Sequence, residues 1–219
     1  FTYTYNEPFT LKYFSHVAFD NYPVVGLTWK QARAFCNWRT NLQKEFSSRL
    51  NEAPPHDYRL PTETEWEYAA HGGHTNTVYP WGSYYTRNSS GCFMANFKPL
   101  RGNYVDDSPV STNTMVVGYF DPNNYGLYDM AGNVAEWTSS AFYESAYDVA
   151  SDLNPEIDYN ALPDDPPVMK RKVIRGGSWK DIPYFIRNST RTYEYQDSAK
   201  SYIGFRCVRT SFRNELHNR

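Results

Sequence analysis

The sequence is short of cysteine, of leucine and isoleucine, of surplus positive charge and of long apolar runs, and each shortage excludes something. Its three cysteines, Cys36, Cys92 and Cys207, lie far apart, with no C-x-x-C and no neighbouring histidine pair. A zinc-finger reading therefore has no ligands, and an odd count permits at most one internal disulfide. A net charge of −2 gives no electrostatic footprint for wrapping DNA or RNA, so no nucleic-acid partner is expected. No stretch approaches the roughly 18 apolar residues of a membrane span. The chain opens at Phe1-Thr2-Tyr3, without Met and without a charged-then-apolar leader, which reads as a fragment or a processed chain.

Rings stand where the aliphatics are missing. Aromatic residues make up 18% of the chain, enough for a core of large flat side chains whose hydroxyl and indole N–H groups need partners when buried. At 219 residues, with no linker-like segment, one domain spanning 1–219 is expected.

Two helices announce themselves by their first turns. Thr28-Trp29-Lys30-Gln31 is a capping box, predicting a helix that runs toward Phe46 with Trp29, Ala32, Phe35 and Cys36 on its inward face. Thr62 and Glu65 form a second box, predicting a helix that buries Trp66, Ala69 and Ala70 and stops at Gly72-Gly73. Beyond Gly73 helical periodicity ends. Short hydrophobic pieces follow, such as Met115 to Phe120 and Val173-Ile174, divided by clusters of Gly, Pro, Asn and Asp. The fold class is α+β with much irregular backbone, which must be satisfied by side chains, waters or ions.

Three stretches suggest function. Glu144 to Pro167 carries seven acids and no Lys or Arg, either a solvated loop or a docking surface. Within Tyr125 to Trp137, Asn133 and Glu136 offer hard oxygens close enough to meet on one calcium ion, with main-chain carbonyls between them. Equally, Asn133 can cap a turn and Glu136 can pair with an arginine such as Arg175. Finally, Arg171 to Tyr195 has the look of an active-site floor, with an Arg-Gly-Gly-Ser-Trp turn followed by cations, hydroxyls and aromatics.

Leu60-Pro61-Thr62-Glu63-Thr64-Glu65-Trp66-Glu67-Tyr68-Ala69-Ala70, Tyr79-Pro80-Trp81-Gly82, Ala95-Asn96, Tyr125 to Trp137, Arg175-Gly176-Gly177-Ser178-Trp179 and Gly204-Phe205-Arg206-Cys207 occur in that order. The series resembles the formylglycine-generating enzyme, or sulfatase-modifying factor, domain across about Val24 to Val208. That resemblance implies a C-type-lectin-like α+β fold with few regular elements. It implies structural calcium at two places: Asn133, the Val134 carbonyl and Glu136 at one, and Asn96, the Phe97 carbonyl and either Asp106 or Asp107 at the other. It also implies a disulfide between Cys36 and Cys207, which would need an oxidising compartment.

Catalytic members of the family hold copper on two cysteines soon after the Arg-Gly-Gly-Ser motif. Here Asp181 and Ile186 stand at about those places, and neither is a soft ligand. Related iron-dependent sulfoxide synthases use a histidine cluster, whereas only His71 and His74 are close in this sequence, flanking Gly72-Gly73. The expectation is therefore no enzyme and no catalytic residue. A metal-dependent oxidase or sulfoxide synthase, and a sugar- or peptide-binding lectin-like domain, are the alternatives.

Gly132 to Tyr143, Lys172 to Asp181 and Tyr195 to Cys207 are further similar to the gliding-motility and type IX secretion lipoproteins of Bacteroidetes, the K group (PorK or GldK) ahead of the J group. This implies a structural part in protein transport at the periplasmic face of the outer membrane. The partners implied are further copies of the chain and a PorN/GldN-like protein in a ring, with attachment through a lipid anchor outside these residues.

Overall fold

A computed structural model describes residues 11–99, 113–146 and 156–210. Helix α1, Trp29–Arg49, starts where its capping box predicts: the Thr28 hydroxyl accepts from Gln31 N–H and the Gln31 side chain returns to Thr28 N–H. Such a cap is worth about 1 kcal/mol. The helix continues past Phe46 and buries Trp29, Ala32, Cys36, Thr40 and Ser47. Phe35, predicted to face inward, is exposed instead; it touches Phe205 edge-on and Trp38 at a tilt. It lies some 100° around the cylinder from Cys36, beyond the width of the buried stripe.

Helix α2, Glu63–His71, repeats the arrangement with Thr62 and Glu65, and Gly72 ends it in the left-handed conformation, φ 57°. Between the helices comes β1, Tyr58–Arg59. The remaining strands are β2 (Ala135–Ala141), β3 (Arg171–Arg175), β4 (Thr192–Tyr195), β5 (Ile203–Gly204) and β6 (Val208–Arg209). The main sheet has the order β4-β3-β2-β5, antiparallel except for the parallel β2/β5 pair, and β1 pairs with β6 separately. Val173-Ile174 falls in β3, whereas Met115 to Phe120 forms no strand. The mixed α+β architecture with long irregular connections agrees with the fold class read from sequence.

Three buried clusters divide the interior. Trp29, Ala32 and Cys36 of α1 pack on Ala135 and Trp137 of β2, Ile174 and Ile203. Trp66 and Ala70 of α2 meet Met130. A third cluster, Tyr79, Ala95, Phe97, Ala131 and Ile186, is formed almost wholly by loops. Two buried indoles find acceptors, Trp29 in the Thr138 carbonyl at 2.7 Å and Trp66 in Glu136 at 2.7 Å, whereas the buried Trp179 Nε1 has none among the described residues.

Candidate functional site

The segment after β3 is shaped by contact rather than by regular hydrogen bonding. Gly176 and Gly177 both take positive φ, and a Cβ at Gly177 would come within 2.6 Å of the Phe185 carbonyl oxygen. Only glycine lets the turn close on the following loop. Ser178 then ties the turn to Asp181, whose Oδ2 accepts from Ser178 N–H at 3.0 Å and from its hydroxyl at 2.6 Å. Lys180 lies 3.3 Å from the other Asp181 oxygen.

Ile186, five residues on, is completely buried in the loop-built cluster with Tyr79 and Phe97. The two positions that would carry copper-binding thiols are thus a hydrogen-bonded carboxylate and a core aliphatic. Trp179 donates its backbone N–H to the Asn133 carbonyl at 3.0 Å, and Tyr184 is an exposed ring stacked edge-on with Phe185. His71 contacts Asn188 and Glu67, and His74 contacts Asn124. Among the described residues, no three His, Cys, Asp or Glu side chains are gathered where they could hold a metal.

Beside this segment stands a network of buried charge. Arg175, 1% exposed, bonds to Glu67, lies 3.4 Å from Glu63 and donates to the Asn188 carbonyl at 2.9 Å. Arg191 clamps Glu63 with two bonds of 2.6 and 2.8 Å. Arg175 is opposite Glu136 in the β2/β3 register, yet the pair expected from sequence does not form. Glu136 instead takes both its oxygens to Arg206, at 2.6 Å each, and accepts from Trp66. An arginine partner was foreseen; its identity was not.

Asn133 is also committed. Its side-chain oxygen accepts from Met115 N–H at 2.9 Å and from Asn96 at 3.3 Å, and its amide donates to the Met115 carbonyl at 3.2 Å. This carboxamide copies a strand's pairing with Met115, which bears out the turn-holding alternative for Asn133. Asn96 and Asn133, predicted for separate ions, meet in one network. Asp106 and Asp107 lie outside the described residues.

A residue that sequence reasoning missed is next to them. Asp129 shares a cleft of about 510 Å³ with Asn133, Val134, Glu136 and Arg206. Its carboxyl is pushed above the ordinary range, first by burial and then by the charge of Glu136, while Gly118 N–H, 2.7 Å away, and Arg206 act the other way. Asp129, Asn133 and Glu136 thus bring side-chain oxygens, and Val134 a carbonyl, to one cleft, the donor type a hard cation takes. Asp129 sits at φ 54°, a conformation Asp tolerates better than most residues.

Two other expectations have a definite geometry. The sulfurs of Cys36 and Cys207 are 3.4 Å apart as thiols; their shared hydrogen bond pushes Cys207 down and Cys36 up from the usual thiol range. Cys92 is exposed. In the acidic stretch, several charges are spent on the protein itself. Glu156 accepts from Thr64 N–H at the start of α2 and from the Ser140 hydroxyl, Asp165 accepts from Leu162 N–H and Tyr159, and Glu144 lies 3.2 Å from Arg171. Asp148 and Asp152 fall outside the described residues.

Comparison with known proteins agrees with the motifs. The model of the sulfatase-modifying factor enzyme 1-like domain matches residues 11–211. The chain is 34% identical over 198 residues to the inactive C-alpha-formylglycine-generating enzyme 2 of Bos taurus, covering 85% of this chain and 50% of that protein. It is 34% identical over 199 residues to the formylglycine-generating enzyme of Mus musculus, covering 86% and 44%. The chain therefore spans about half the length of these curated relatives. Among solved structures, Treponema denticola variable protein 1 superposes with a TM-score of 0.58 at 25% identity, over 86% of this chain and 71% of that one.

Proposed function

Because the chain belongs to the sulfatase-modifying factor enzyme 1-like domain family, we propose that it is a non-catalytic structural module, a family scaffold used as an interaction platform. The observation that carries this reading is Ile186: a fully buried aliphatic packed by Tyr79 and Phe97 fills a place where the chemistry would require a thiolate. The neighbouring position, Asp181, is bonded to Ser178. A copper(I) ion selects soft sulfur, and neither residue supplies it. The relatives include an inactive protein and active enzymes alike, so residue chemistry is what favours the inactive reading.

We propose further that the module belongs to the type IX secretion and gliding-motility machinery, at the periplasmic face of the outer membrane, in a ring with a PorN/GldN-like partner. The variant motifs Gly132 to Tyr143 and Lys172 to Asp181 support that assignment. Calcium would be a structural ion held by Asn133, the Val134 carbonyl and Glu136, with Asp129 beside them in the same cleft, and with Asn96, Phe97 and Asp106 or Asp107 as a second site. Such an ion supplies fixed positive charge to paired carboxylates. In an oxidising periplasm Cys36 and Cys207 would be joined, restraining the unfolded chain by roughly 5 kcal/mol.

Metal analysis of the purified protein, combined with an oxygen-consumption assay on a cysteine-containing peptide, tests the central proposal. Calcium without stoichiometric copper or iron, and no oxygen-dependent oxidation of the peptide, is the expected result. A transition metal at one equivalent with turnover overturns it.

A further inference from the structure

Helix α1 has a second apolar face that the fold engages at one end only, where Phe35 meets Phe205. Phe35, Trp38, Leu42 and Phe46, with Leu50 just beyond the last turn, follow one another at spacings of three, four, four and four. They form one line along the cylinder, about 22 Å long at 1.5 Å per residue. Each is between 41 and 61% exposed. The line sits roughly 100° around from the buried stripe of Trp29, Ala32 and Cys36, so it points away from the sheet. Five large side chains left in water together make a patch, unlike single exposed rings scattered elsewhere.

The helix itself carries an excess of basic residues. Within Trp29–Arg49 there are five basic residues, Lys30, Arg33, Arg39, Lys44 and Arg49, against the single acid Glu45, a balance of +4 in a chain whose net charge is −2. Lys30, Lys44 and Arg49 have carboxylate partners. Arg39 flanks the line and has none within ion-pair distance among the described residues. It lies 4.3 Å from the centre of the Tyr58 ring, and Arg209, also without a carboxylate partner among them, lies 5.9 Å from the same ring. With the Cys36 hydrogen bond, Arg39 also helps hold Cys207 below the usual thiol range; neither it nor Arg209 is neutralised by a carboxylate among the described residues, so both are open to an anion.

We propose that this face of α1 lies on an anionic lipid surface, with the apolar line entering the boundary between head groups and acyl chains and Arg39 and Arg209 meeting lipid phosphates. Apolar residues including Trp along one side of a helix and basic residues at its margin are the composition such surfaces select. A second copy of the chain fits less well. Five side chains that bury about half of their roughly 200 Å² each give some 500 Å² per partner, short of the about 800 Å² of a stable protein interface. The inference does not depend on whether the chain is catalytic.

Co-sedimentation of the chain with vesicles of phosphatidylglycerol and phosphatidylcholine, and with phosphatidylcholine alone, tests it, with self-association followed by analytical ultracentrifugation. Binding to the anionic vesicles is expected to be at least about tenfold stronger than to the neutral ones. Phe46→Glu should lower it by about tenfold or more, and Arg39→Gln with Arg209→Gln by a similar factor, while thermal melts show both variants folded. Either of two results overturns the proposal: no difference between anionic and neutral vesicles, or binding that survives Phe46→Glu. A micromolar dimer abolished by Phe46→Glu, with no vesicle binding, would give the face to a second copy instead.

Discussion

Arg175 and Ile186 belong to one short stretch, and both are fully buried, yet their surroundings follow opposite rules. Arg175 is held by Glu63, Glu67 and the Asn188 carbonyl, and the network extends through Arg191. Ile186 packs in a cluster of rings and small aliphatics. A buried ion network cannot lose a member without stranding the others, whereas an aliphatic pocket can change its occupant if volume is kept. The difference teaches which half of an inherited site is free to drift. The half that carries charge is fixed by its own electrostatics, and the half that would carry chemistry is not.

Removing the charge should have the largest effect. Arg175→Ala leaves Glu63 and Glu67 facing each other without their shared cation, and a loss of about 3–5 kcal/mol is expected in urea denaturation. A loss below 1 kcal/mol would show that the network is not the frame described. Emptying the other pocket comes next: Ile186→Ala should cost about 2–5 kcal/mol, set by how far Tyr79 and Phe97 can close on the void. The double variant Asp181→Cys with Ile186→Cys sharpens the contrast. It should stay folded and gain copper(I) binding, measured by competition with a chelator of known affinity; a folded variant with no gain would show that the stretch no longer has the geometry of a thiolate pair.

The smallest effect belongs to Lys172, a buried cation with no carboxylate at ion-pair distance among the described residues, although the charge of Asp158 acts on it. Its ammonium donates to the Tyr159 carbonyl at 2.6 Å and lies 3.9 Å from the centre of the Trp29 ring, and burial pushes its pKa down to about 8. Between pH 8 and the ordinary lysine range the unfolded chain therefore binds more protons than the folded one, so stability should rise with pH across that window. Lys172→Met should flatten the rise and, at pH 7, change stability by only about 1 kcal/mol, in the stabilising direction. A rise that persists in the variant would assign it to another group.

What could be read in advance follows from the range of the interactions. Both helix starts were legible because a capping box is complete within four residues, as at Thr28 to Gln31 and Thr62 to Glu65. The stop at Gly72 was legible for the same reason. Strand β2 was not, because Ala135–Ala141 is buried on both faces except at Ser139 and shows no alternation of apolar and polar residues. The partner of Glu136 was out of reach: Arg206 is 70 residues away, and nothing local distinguishes it from Arg175. Position along the chain located the Asp181 and Ile186 places, and residue chemistry alone said what they lacked. Asp129 escaped notice because its role depends on a cleft assembled from distant segments.

Gly132 is where two of those segments come closest: a methyl group added there would stand 2.4 Å from the Asn96 carbonyl oxygen. Any heavier residue at that point would force the loops apart whether or not the protein ever turned over a substrate. Steric necessity of this kind acts alike on a working enzyme and on a descendant that has retired from catalysis. An intact glycine here certifies kinship and says nothing about livelihood.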